Sequence, residues 1–170
     1  MYAFVSVQSP DAIQKLAALA NEIWHEYFPC LLTEAQIDYM VGKFQSEEAL
    51  TKQIAEGYQY CIFLYQNQPA GYFGVCPQPD GSLFLSKLYL KQAYRGKGLA
   101  SVLFQEVQRI ARTCGASFIW LTVNKYNDQA IAVYKHFGMN VIHSQVTDIG
   151  SGFVMDDYVF SVPVQQDMPD

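Results

Sequence analysis

The stretch that decides the fold is residues 88–101, Leu-Tyr-Leu-Lys-Gln-Ala-Tyr-Arg-Gly-Lys-Gly-Leu-Ala-Ser. Its apolar start ends a predicted strand, and its last residues open a predicted helix. Between the two, Gly96 and Gly98 allow the backbone to approach a ligand closely. The N–H groups at a helix N-terminus attract an anion, and Arg95 and Lys97 add positive charge at the same place. We therefore predict a pyrophosphate-binding turn.

Two other phosphate-binding patterns do not fit this turn. A P-loop requires G-x-x-x-x-G-K-[ST], which the sequence lacks. A dinucleotide-binding fold requires an acidic residue about 20 positions after the glycines, and residues 115–118 are Gly-Ala-Ser-Phe. Considered alone, the turn could still be an ordinary strand-to-helix connection. A second motif is needed to assign it.

That second motif follows the next predicted strand, where Asn127, Ala130, Tyr134 and Gly138 recur at helical spacing. Residues three and four positions apart lie on one face of a helix, so the first three side chains are expected to line one groove. Gly138 is a suitable end for the helix. The alternative is a capped amphipathic helix whose tyrosine belongs to the core.

Together, the two motifs resemble those of the GNAT superfamily of acyl-CoA-dependent N-acetyltransferases, and the resemblance extends over residues 2–162. In that family the loop matching Arg95–Ala100 binds the pyrophosphate of coenzyme A. The strand end matching Leu88–Leu90 pairs with the pantetheine arm like an added strand. The resemblance implies acetyl-CoA as co-substrate, bound by Leu88, Tyr89, Leu90, Arg95, Gly96, Lys97, Gly98, Leu99, Ala100, Ser101, Asn127, Ala130 and Tyr134.

The resemblance also implies a reaction, the direct attack of an amine on the acetyl thioester. Tyr134 matches the family's general acid, which protonates the departing thiolate, and the backbone N–H of Leu88 would polarise the thioester carbonyl. Many relatives carry a glutamate two or three residues before the position of Tyr89, whereas this chain has Leu85-Ser86-Lys87. The proton of the amine would leave through water held by Ser86, through a carboxylate elsewhere, or without a dedicated base.

The acceptor is expected to be a small, cationic, polyamine-like amine. In the GNAT fold the acceptor site lies between the N-terminal helices and the C-terminal strands. Residues 1–57 and residues 136–170 each carry a net charge of −5, whereas residues 58–135 carry +5. The candidate acceptor-binding residues are Glu26, Tyr27, Tyr39 and Asp156. The ending over residues 152–158 is similar to that of bacterial polyamine N-acetyltransferases. A protein or peptide N-acetyltransferase, and an acetyl-CoA-binding protein with little turnover, are the alternatives.

Composition argues against several other classes. The 170 residues are 51% hydrophobic and 16% charged, with a net charge of −5, which excludes a disordered chain and argues against nucleic acid as the main partner. No apolar run has the length of a membrane span, and the first residues lack the basic start of a signal peptide. Four cysteines without C-x-x-C spacing predict small buried thiols in a reducing cytoplasm, and three histidines without H-E-x-x-H spacing predict no metal site. The family often forms dimers, which implies a homodimer.

The remaining segments predict a mixed α/β (α+β) fold. The predicted order is β-α-α-α-β-β-β-α-β-α-β-β, with about seven strands in a mostly antiparallel sheet, one β-α-β crossover and helices on both faces. The last hairpin is predicted over Val141–Val146 and Phe153–Val162. We expect residues 1–164 to form a single domain and residues 165–170 to be a frayed tail. The predicted helix N-caps are Ser9, Thr33, Ser46 and Asn127.

Overall fold

The computed structural model describes residues 1–166, and five α-helices and seven β-strands occur in that part of the chain. Their order agrees with the predicted order. The elements are β1 Tyr2–Ser6, α1 Pro10–Tyr27, α2 Glu34–Phe44, α3 Glu47–Ala55, β2 Gln59–Tyr65, β3 Gln68–Pro77, β4 Leu83–Leu90, α4 Leu99–Thr113, β5 Phe118–Asn124, α5 Asp128–His136, β6 Asn140–Gly150 and β7 Phe153–Pro163.

The seven strands form one mixed sheet in the spatial order β1-β2-β3-β4-β5-β7-β6. β1 and β2, β2 and β3, β5 and β7, and β6 and β7 pair antiparallel. β4 and β5 pair parallel, which requires a crossover connection, and α4 supplies it. The predicted mixed, mostly antiparallel sheet is confirmed.

The chain folds into two compact units, which are described separately. The first consists of Met1–Cys76 and Lys87–Leu103, and the second of Pro77–Ser86 and residues 104–166. The strand β4 and the helix α4 each contribute residues to both units. The single domain predicted for residues 1–164 stays a prediction.

The core of the first unit forms where α1 and α3 pack on β2 and β3. Leu16 and Ile23 of α1 and Leu50 of α3 are fully buried, together with the rings of Tyr60 and Tyr72 from the two strands. All three helices of this unit begin at predicted N-caps, because the hydroxyl groups of Ser9, Thr33 and Ser46 each accept a hydrogen bond from the backbone N–H three residues later.

The second unit is built on β5, β7 and β6, with the longer part of α4 and all of α5. The ring of Phe104 on α4 stacks on that of Phe137, with 4.5 Å between the ring centroids. Tyr134 of α5 places its ring 6.2 Å from that of Phe160 on β7. α5 therefore packs on the face of β7 that carries Phe160.

The last hairpin differs from its predicted length. β6 runs over Asn140–Gly150 instead of Val141–Val146, and nearly all its residues are exposed. A strand exposed on both faces shows no alternation of apolar and polar residues, so its sequence does not mark its ends. Pairing with β7, along nine residue pairs from Asn140↔Ser161 to Gly150↔Phe153, defines it instead.

The prediction that the four cysteines are small buried thiols is wrong for two of them. Cys76 on β3 is buried and Cys61 on β2 is half-buried, but Cys30 and Cys114 are exposed. Both exposed residues lie just beyond the end of a helix, where the chain turns through solvent. No disulfide joins any of these four cysteines, all of which lie within residues 1–166.

No helix within residues 1–166 is both long and apolar enough to cross a membrane. Residues 165 and 166 follow β7 without regular secondary structure. The rest of the predicted frayed tail, residues 167–170, lies outside the described residues.

Candidate active site

The predicted pyrophosphate turn has the backbone that its glycines suggest. A single 3-10 turn over Gln92–Tyr94 follows β4, and α4 begins at Leu99. Gly96 and Gly98 have φ angles of +73° and +75°, in the left-handed region that favours glycine. The first N–H groups of α4, those of Leu99, Ala100 and Ser101, have no partners in the preceding helical turn, so they are available to an anion.

Arg95 supports this turn from the inside. Its Nε donates a 2.9 Å hydrogen bond to the carbonyl of Leu90, and its guanidinium lies 4.5 Å from the ring centroid of Tyr27. Nη2 lies 3.9 Å from a carboxylate oxygen of Glu26. Burial lowers the pKa of Arg95 from its usual value, while the nearby Glu26 charge raises it. Sequence spacing did not indicate these contacts.

Lys97 differs from Arg95 in its surroundings. It is exposed, and its Nζ lies 5.9 Å from the centroid of the Tyr94 ring. An exposed ammonium group retains its freedom to meet a phosphate. Of the two predicted cations, Lys97 is the one that faces solvent, whereas Arg95 is packed against the protein.

Glu26, predicted to contact the acceptor, is engaged at the same turn. One carboxylate oxygen accepts a short hydrogen bond from the backbone N–H of Gln92 and faces Arg95. The turn is therefore tied to α1 by a residue 66 positions earlier in the chain. A role for Glu26 toward an acceptor stays a prediction.

Tyr89, near the end of β4, lies in an aromatic cluster. The ring centroids of Trp24, Phe28 and Tyr72 lie 5.6, 6.0 and 5.6 Å from its own, and that of Tyr27 lies 6.5 Å away. Trp24 Nε1 donates to the Tyr72 hydroxyl, which donates in turn to Gln45 Oε1. This cluster holds the end of β4 rigidly against α1.

Tyr39, also predicted to bind the acceptor, is half-buried on α2. Lys43, one helical turn later, places its Nζ 5.7 Å from the centroid of the Tyr39 ring. On the neighbouring helix α1, His25 Nε2 lies 2.6 Å from Asp38 Oδ1, and this hydrogen bond raises the pKa of His25. Lys43 and Asp38 thus place a positive and a negative side chain on the same helix of the first unit.

Lys87 is a buried charge that the sequence analysis did not single out. Its side chain is 7% exposed, and its Nζ donates hydrogen bonds to Phe44 O and Gln53 Oε1, both at 2.9 Å, and to the Tyr60 hydroxyl. Burial lowers its pKa to about 7. The sequence did indicate this burial. Lys87 lies two residues after Leu85 and four after Leu83 on β4, so its side chain is expected on the same buried face of the strand.

The middle of β4 carries the other two predicted catalytic positions. Leu88 is buried and Ser86 is half-buried. The parallel ladder between β4 and β5 pairs Leu83 with Ile119 and Phe84 with Trp120. Within the described part of the second unit, neither Leu85 nor Ser86 pairs with a residue of β5.

In the second unit, Asn127 is the N-cap of α5, as predicted. It is buried, and its Oδ1 accepts a hydrogen bond from the backbone N–H of Ala130 at 3.2 Å. Ala130 and Tyr134 are half-buried on the helix that follows. The cap fixes the direction of α5, and the contacts of Tyr134 with Phe137 and Phe160 fix its ring.

The C-terminal hairpin contributes two neighbouring carboxylates with different surroundings. Asp156 forms a 2.8 Å ion pair with Lys125 Nζ and is partly exposed. Asp157 is 3% exposed, and burial, assisted by the Asp156 charge, raises its pKa to about 6. The sequence analysis named Asp156 as a candidate, but it did not foresee that Asp157 is the buried one, because strand alternation alone does not say which face is covered.

Each unit offers distinct chemistry. The first presents a glycine turn at the N-terminus of α4, a buried lysine and an aromatic cluster, and the second presents a phenol on a capped helix and a buried carboxylate. Among residues 1–166, no group of three or more His, Cys, Asp or Glu side chains could hold a metal ion.

Comparisons with known proteins place these features in a wider context. A model of the acetyltransferase (GNAT) family matches residues 16–139. An uncharacterized N-acetyltransferase of Mycobacterium bovis is 34% identical over 89 residues, which are 52% of this chain and 56% of that relative. The thialysine N-epsilon-acetyltransferase of Bos taurus is 31% identical over 67 residues, 39% of this chain and 39% of that one. These two matches span 56% and 39% of the relatives' own length.

The fold has a close counterpart among solved structures. The PaiA N-acetyltransferase from Thermoplasma acidophilum, crystallised in complex with coenzyme A, superposes with a TM-score of 0.79 at 18% identity, covering 96% of this chain and 99% of that chain. At this level of identity the likeness concerns the fold.

Proposed function

The chain belongs to the GNAT family of acetyltransferases, and we propose that it is an N-acetyltransferase that moves the acetyl group of acetyl-CoA directly to a primary amine. The observation that carries this proposal is the pair of left-handed glycines before α4 in the first unit. They match in sequence the turn that the family uses for pyrophosphate, and they lie within the residues that the family model matches.

The residues present fit coenzyme A as a bound anion. The N–H groups of Leu99, Ala100 and Ser101 and the exposed ammonium of Lys97 would hold the pyrophosphate. Arg95 would keep the turn in shape through its contacts with Leu90, Tyr27 and Glu26. The backbone of Leu88–Leu90, with Tyr89 fixed by its aromatic neighbours, would pair with the pantetheine arm.

Acetyl-CoA supplies the thioester when it is bound. The proposed reaction also requires a group that stabilises negative charge on the carbonyl oxygen and a group that protonates the departing sulfur. The backbone N–H of Leu88 would polarise the thioester carbonyl. The Tyr134 hydroxyl would donate its proton to the sulfur of the departing thiolate, because a phenol is a stronger acid than an alcohol and its ring is fixed on α5. Ser86 would hold a water molecule near the incoming amine.

For the acceptor we propose a small cationic amine. Acidic residues dominate residues 1–57 and 136–170, and attraction between opposite charges would favour a cation. The name of the bovine relative, a thialysine N-epsilon-acetyltransferase, agrees with a primary alkyl amine. Glu26, Tyr27, Tyr39 and Asp156 are the side chains proposed to contact it.

The experiment that tests this function is the release of CoA thiol from acetyl-CoA in the presence of candidate amines. The panel contains spermidine, thialysine, an aminoglycoside and a peptide with a free N-terminal alanine. Acceleration by spermidine or thialysine supports the proposal, and acceleration by the peptide alone supports a peptide N-acetyltransferase. Binding of acetyl-CoA without acceleration by any amine would indicate a binding protein.

We further propose a cytoplasmic location and a homodimer. Four cysteines within residues 1–166 that form no disulfide with one another agree with a reducing compartment. The dimer is proposed because members of the family often form dimers. Cell fractionation tests the location. Size-exclusion chromatography with light scattering tests the assembly, and a mass near 19.2 kDa, that of one chain, would contradict the dimer.

A further inference from the structure

Glu26 of α1 places a negative charge beside the turn that we propose for pyrophosphate, and both belong to the first unit. One carboxylate oxygen, Oε1, faces this turn and lies 3.9 Å from Arg95 Nη2. Like charges repel one another, so a carboxylate close to an anion-binding turn should weaken the binding of pyrophosphate. Its position there therefore calls for a role that outweighs this repulsion.

The 3-10 turn over Gln92–Tyr94 begins without a cap from its own sequence. The usual cap is a side-chain oxygen of the preceding residue. Here that residue is Lys91, whose ammonium group has no acceptor, and its side chain makes no capping bond. The first N–H groups of a helical turn need acceptors from outside the turn. The N–H of Gln92 therefore depends on another element.

Glu26 supplies the missing acceptor from α1. Its Oε1 accepts a short hydrogen bond from the backbone N–H of Gln92. Hydrogen bonds to a charged group are roughly twice as strong as those between neutral groups. The residue before is also held, because Lys91 donates its backbone N–H to the carbonyl of Ala70 on β3 at 2.8 Å. The start of the turn is thus fixed to both α1 and β3.

Backbone hydrogen bonds connect this fixed start to the glycines. Tyr94 donates its N–H to Lys91 O at 3.0 Å, and Arg95 donates its N–H to Gln92 O at 3.2 Å. Gly96 follows directly in its left-handed conformation. Because these bonds close a single helical turn, the position of the Gln92 amide determines where the chain enters the glycine segment.

Glu22 provides a comparison, because it lies one helical turn before Glu26 on the same face of α1. Its Oε2 lies 3.1 Å from Lys91 Nζ, so the contact joins two side chains. The side chain of Glu22 is 55% exposed, whereas that of Glu26 is 25% exposed. Exposed ion pairs contribute little to stability. Glu22 should therefore neutralise a charge near the turn without determining the position of its backbone.

We propose that Glu26 is a positioning residue for the cofactor, an inference that rests on the proposed binding of acetyl-CoA at this turn. Its carboxylate acts as an N-cap supplied by another helix. By holding the N–H of Gln92, it keeps Gly96 and Gly98 in the conformation that receives the pyrophosphate. A turn ordered before the ligand arrives loses less entropy on binding, and this gain exceeds the repulsion between the two negative charges.

The test measures CoA binding by calorimetry without an amine, so that an acceptor contact of Glu26 does not contribute. Glu26→Leu and Glu26→Gln both remove the charge, but only glutamine keeps an oxygen that accepts from Gln92. We expect Glu26→Leu to weaken CoA binding by roughly tenfold, and Glu26→Gln to bind CoA about as tightly as wild type. Tighter binding by both variants would show that only the repulsion matters and would overturn the inference, as would equal weakening by both.

Glu22→Leu is the matched control, because it removes the carboxylate that pairs with the side chain of Lys91. It should leave CoA binding as tight as in wild type or tighter, since it removes a negative charge near the turn. A loss as large as that in Glu26→Leu would indicate a general effect of charge on α1 and would contradict the proposal.

Gln92→Pro removes the same hydrogen bond from the other side, because proline has no N–H. Proline is accepted at the first position of a helical turn, and Lys91 has a ψ of 149°, which a residue before proline adopts. Gln92→Pro should weaken CoA binding as Glu26→Leu does, and the two changes together should weaken it no further. Additive losses would show that Glu26 acts through a different contact, against the proposal.

Hydrogen exchange of the Gln92 amide, followed by NMR in the free protein, tests the contact without a ligand. The amide should exchange slowly in wild type and in Glu26→Gln, and faster in Glu26→Leu. Equal exchange in wild type and Glu26→Leu would overturn the inference. If wild type binds CoA but no amine accelerates its release from acetyl-CoA, the proposed transferase activity fails, while the binding comparison still decides the role of Glu26.

Discussion

At the scale of single residues, Lys87 shows how a charge can be held inside the protein by neutral oxygens alone. Its ammonium group joins the last carbonyl of α2, a side chain of α3 and a phenol of β2. None of these partners is a carboxylate, so burial is not offset by an opposite charge, and the pKa falls to about 7. Stability must therefore depend on pH.

We expect the free energy of unfolding of wild type to rise relative to that of Lys87→Met between pH 7 and pH 10. The folded protein releases its Lys87 proton near pH 7, whereas the unfolded chain keeps it to about 10.4. Since the unfolded state binds more protons in this window, stability rises with pH, by up to about 4 kcal/mol. Urea unfolding at several pH values measures it, and two parallel curves would contradict the prediction.

Arg95 and Lys97 form a second contrast between neighbouring residues. Arg95→Gln should lower the free energy of unfolding by about 1–3 kcal/mol, because it removes the bond to Leu90 O and the contact with the Tyr27 ring. Lys97→Gln should leave the melting temperature unchanged, yet weaken CoA binding and reduce its dependence on salt. Thermal unfolding and calorimetry distinguish the two, and the reverse pattern would show that Lys97 has the structural role.

At the scale of elements, β3 must approach β4 closely. A Cβ added at Gly71 would lie 2.3 Å from the carbonyl oxygen of Tyr89 and 2.8 Å from a side-chain carbon of Leu90. Glycine at this position therefore lets the end of β4 lie where the aromatic cluster around Tyr89 holds it.

Gly71→Ala should destabilise the protein by about 3 kcal/mol or more, since the backbone of β4 has to shift. Gly42→Ala is the matched control, because Gly42 lies within α2 and an added Cβ there meets nothing within 4 Å. That change should stabilise the protein by up to about 1 kcal/mol. Similar melting temperatures for the two variants would refute the close approach.

Local signals explain which elements could be predicted from the sequence. The N-caps Ser9, Thr33 and Ser46 were predictable because capping depends on residues only three positions apart. The glycine turn and Asn127 followed from similarly short spacings. The full length of β6 did not, since pairing with β7 defines it.

The geometry of the site was less predictable than its motifs. Arg95 faces inward because of Glu26 and Tyr27, which lie almost 70 positions earlier in the chain. The difference between Asp156 and Asp157 depends on which face of β7 is covered. Such facts follow from tertiary packing, which spacing along the chain does not encode.

At the scale of the whole molecule, charge is distributed by segment. The basic residues 58–135 contain the turn proposed for an anion, and acidic segments flank them. The proposed single domain, residues 1–164, adds a thermodynamic claim, namely that both compact units unfold together.

The two tryptophans make this claim measurable, because Trp24 lies in the first unit and Trp120 in the second. In Trp24→Phe the remaining fluorophore is Trp120, which stacks on Phe84 and reports the second unit. In Trp120→Phe it is Trp24, which is buried beside Phe28 and reports the first unit. In urea, the fluorescence of each variant should follow the same transition as its own circular dichroism. A fluorescence midpoint that differs from the dichroism midpoint of the same variant would mean that the units unfold separately.

The two exposed thiols have a practical consequence. Cys30 belongs to the first unit and Cys114 to the second, while Cys76 is buried. A maleimide donor dye on one of these two thiols and an acceptor dye on the other would allow the distance between Cys30 and Cys114 to be followed by energy transfer, without added cysteines. Energy transfer between the dyes, recorded as acetyl-CoA is titrated, would report whether ligand capture is accompanied by movement.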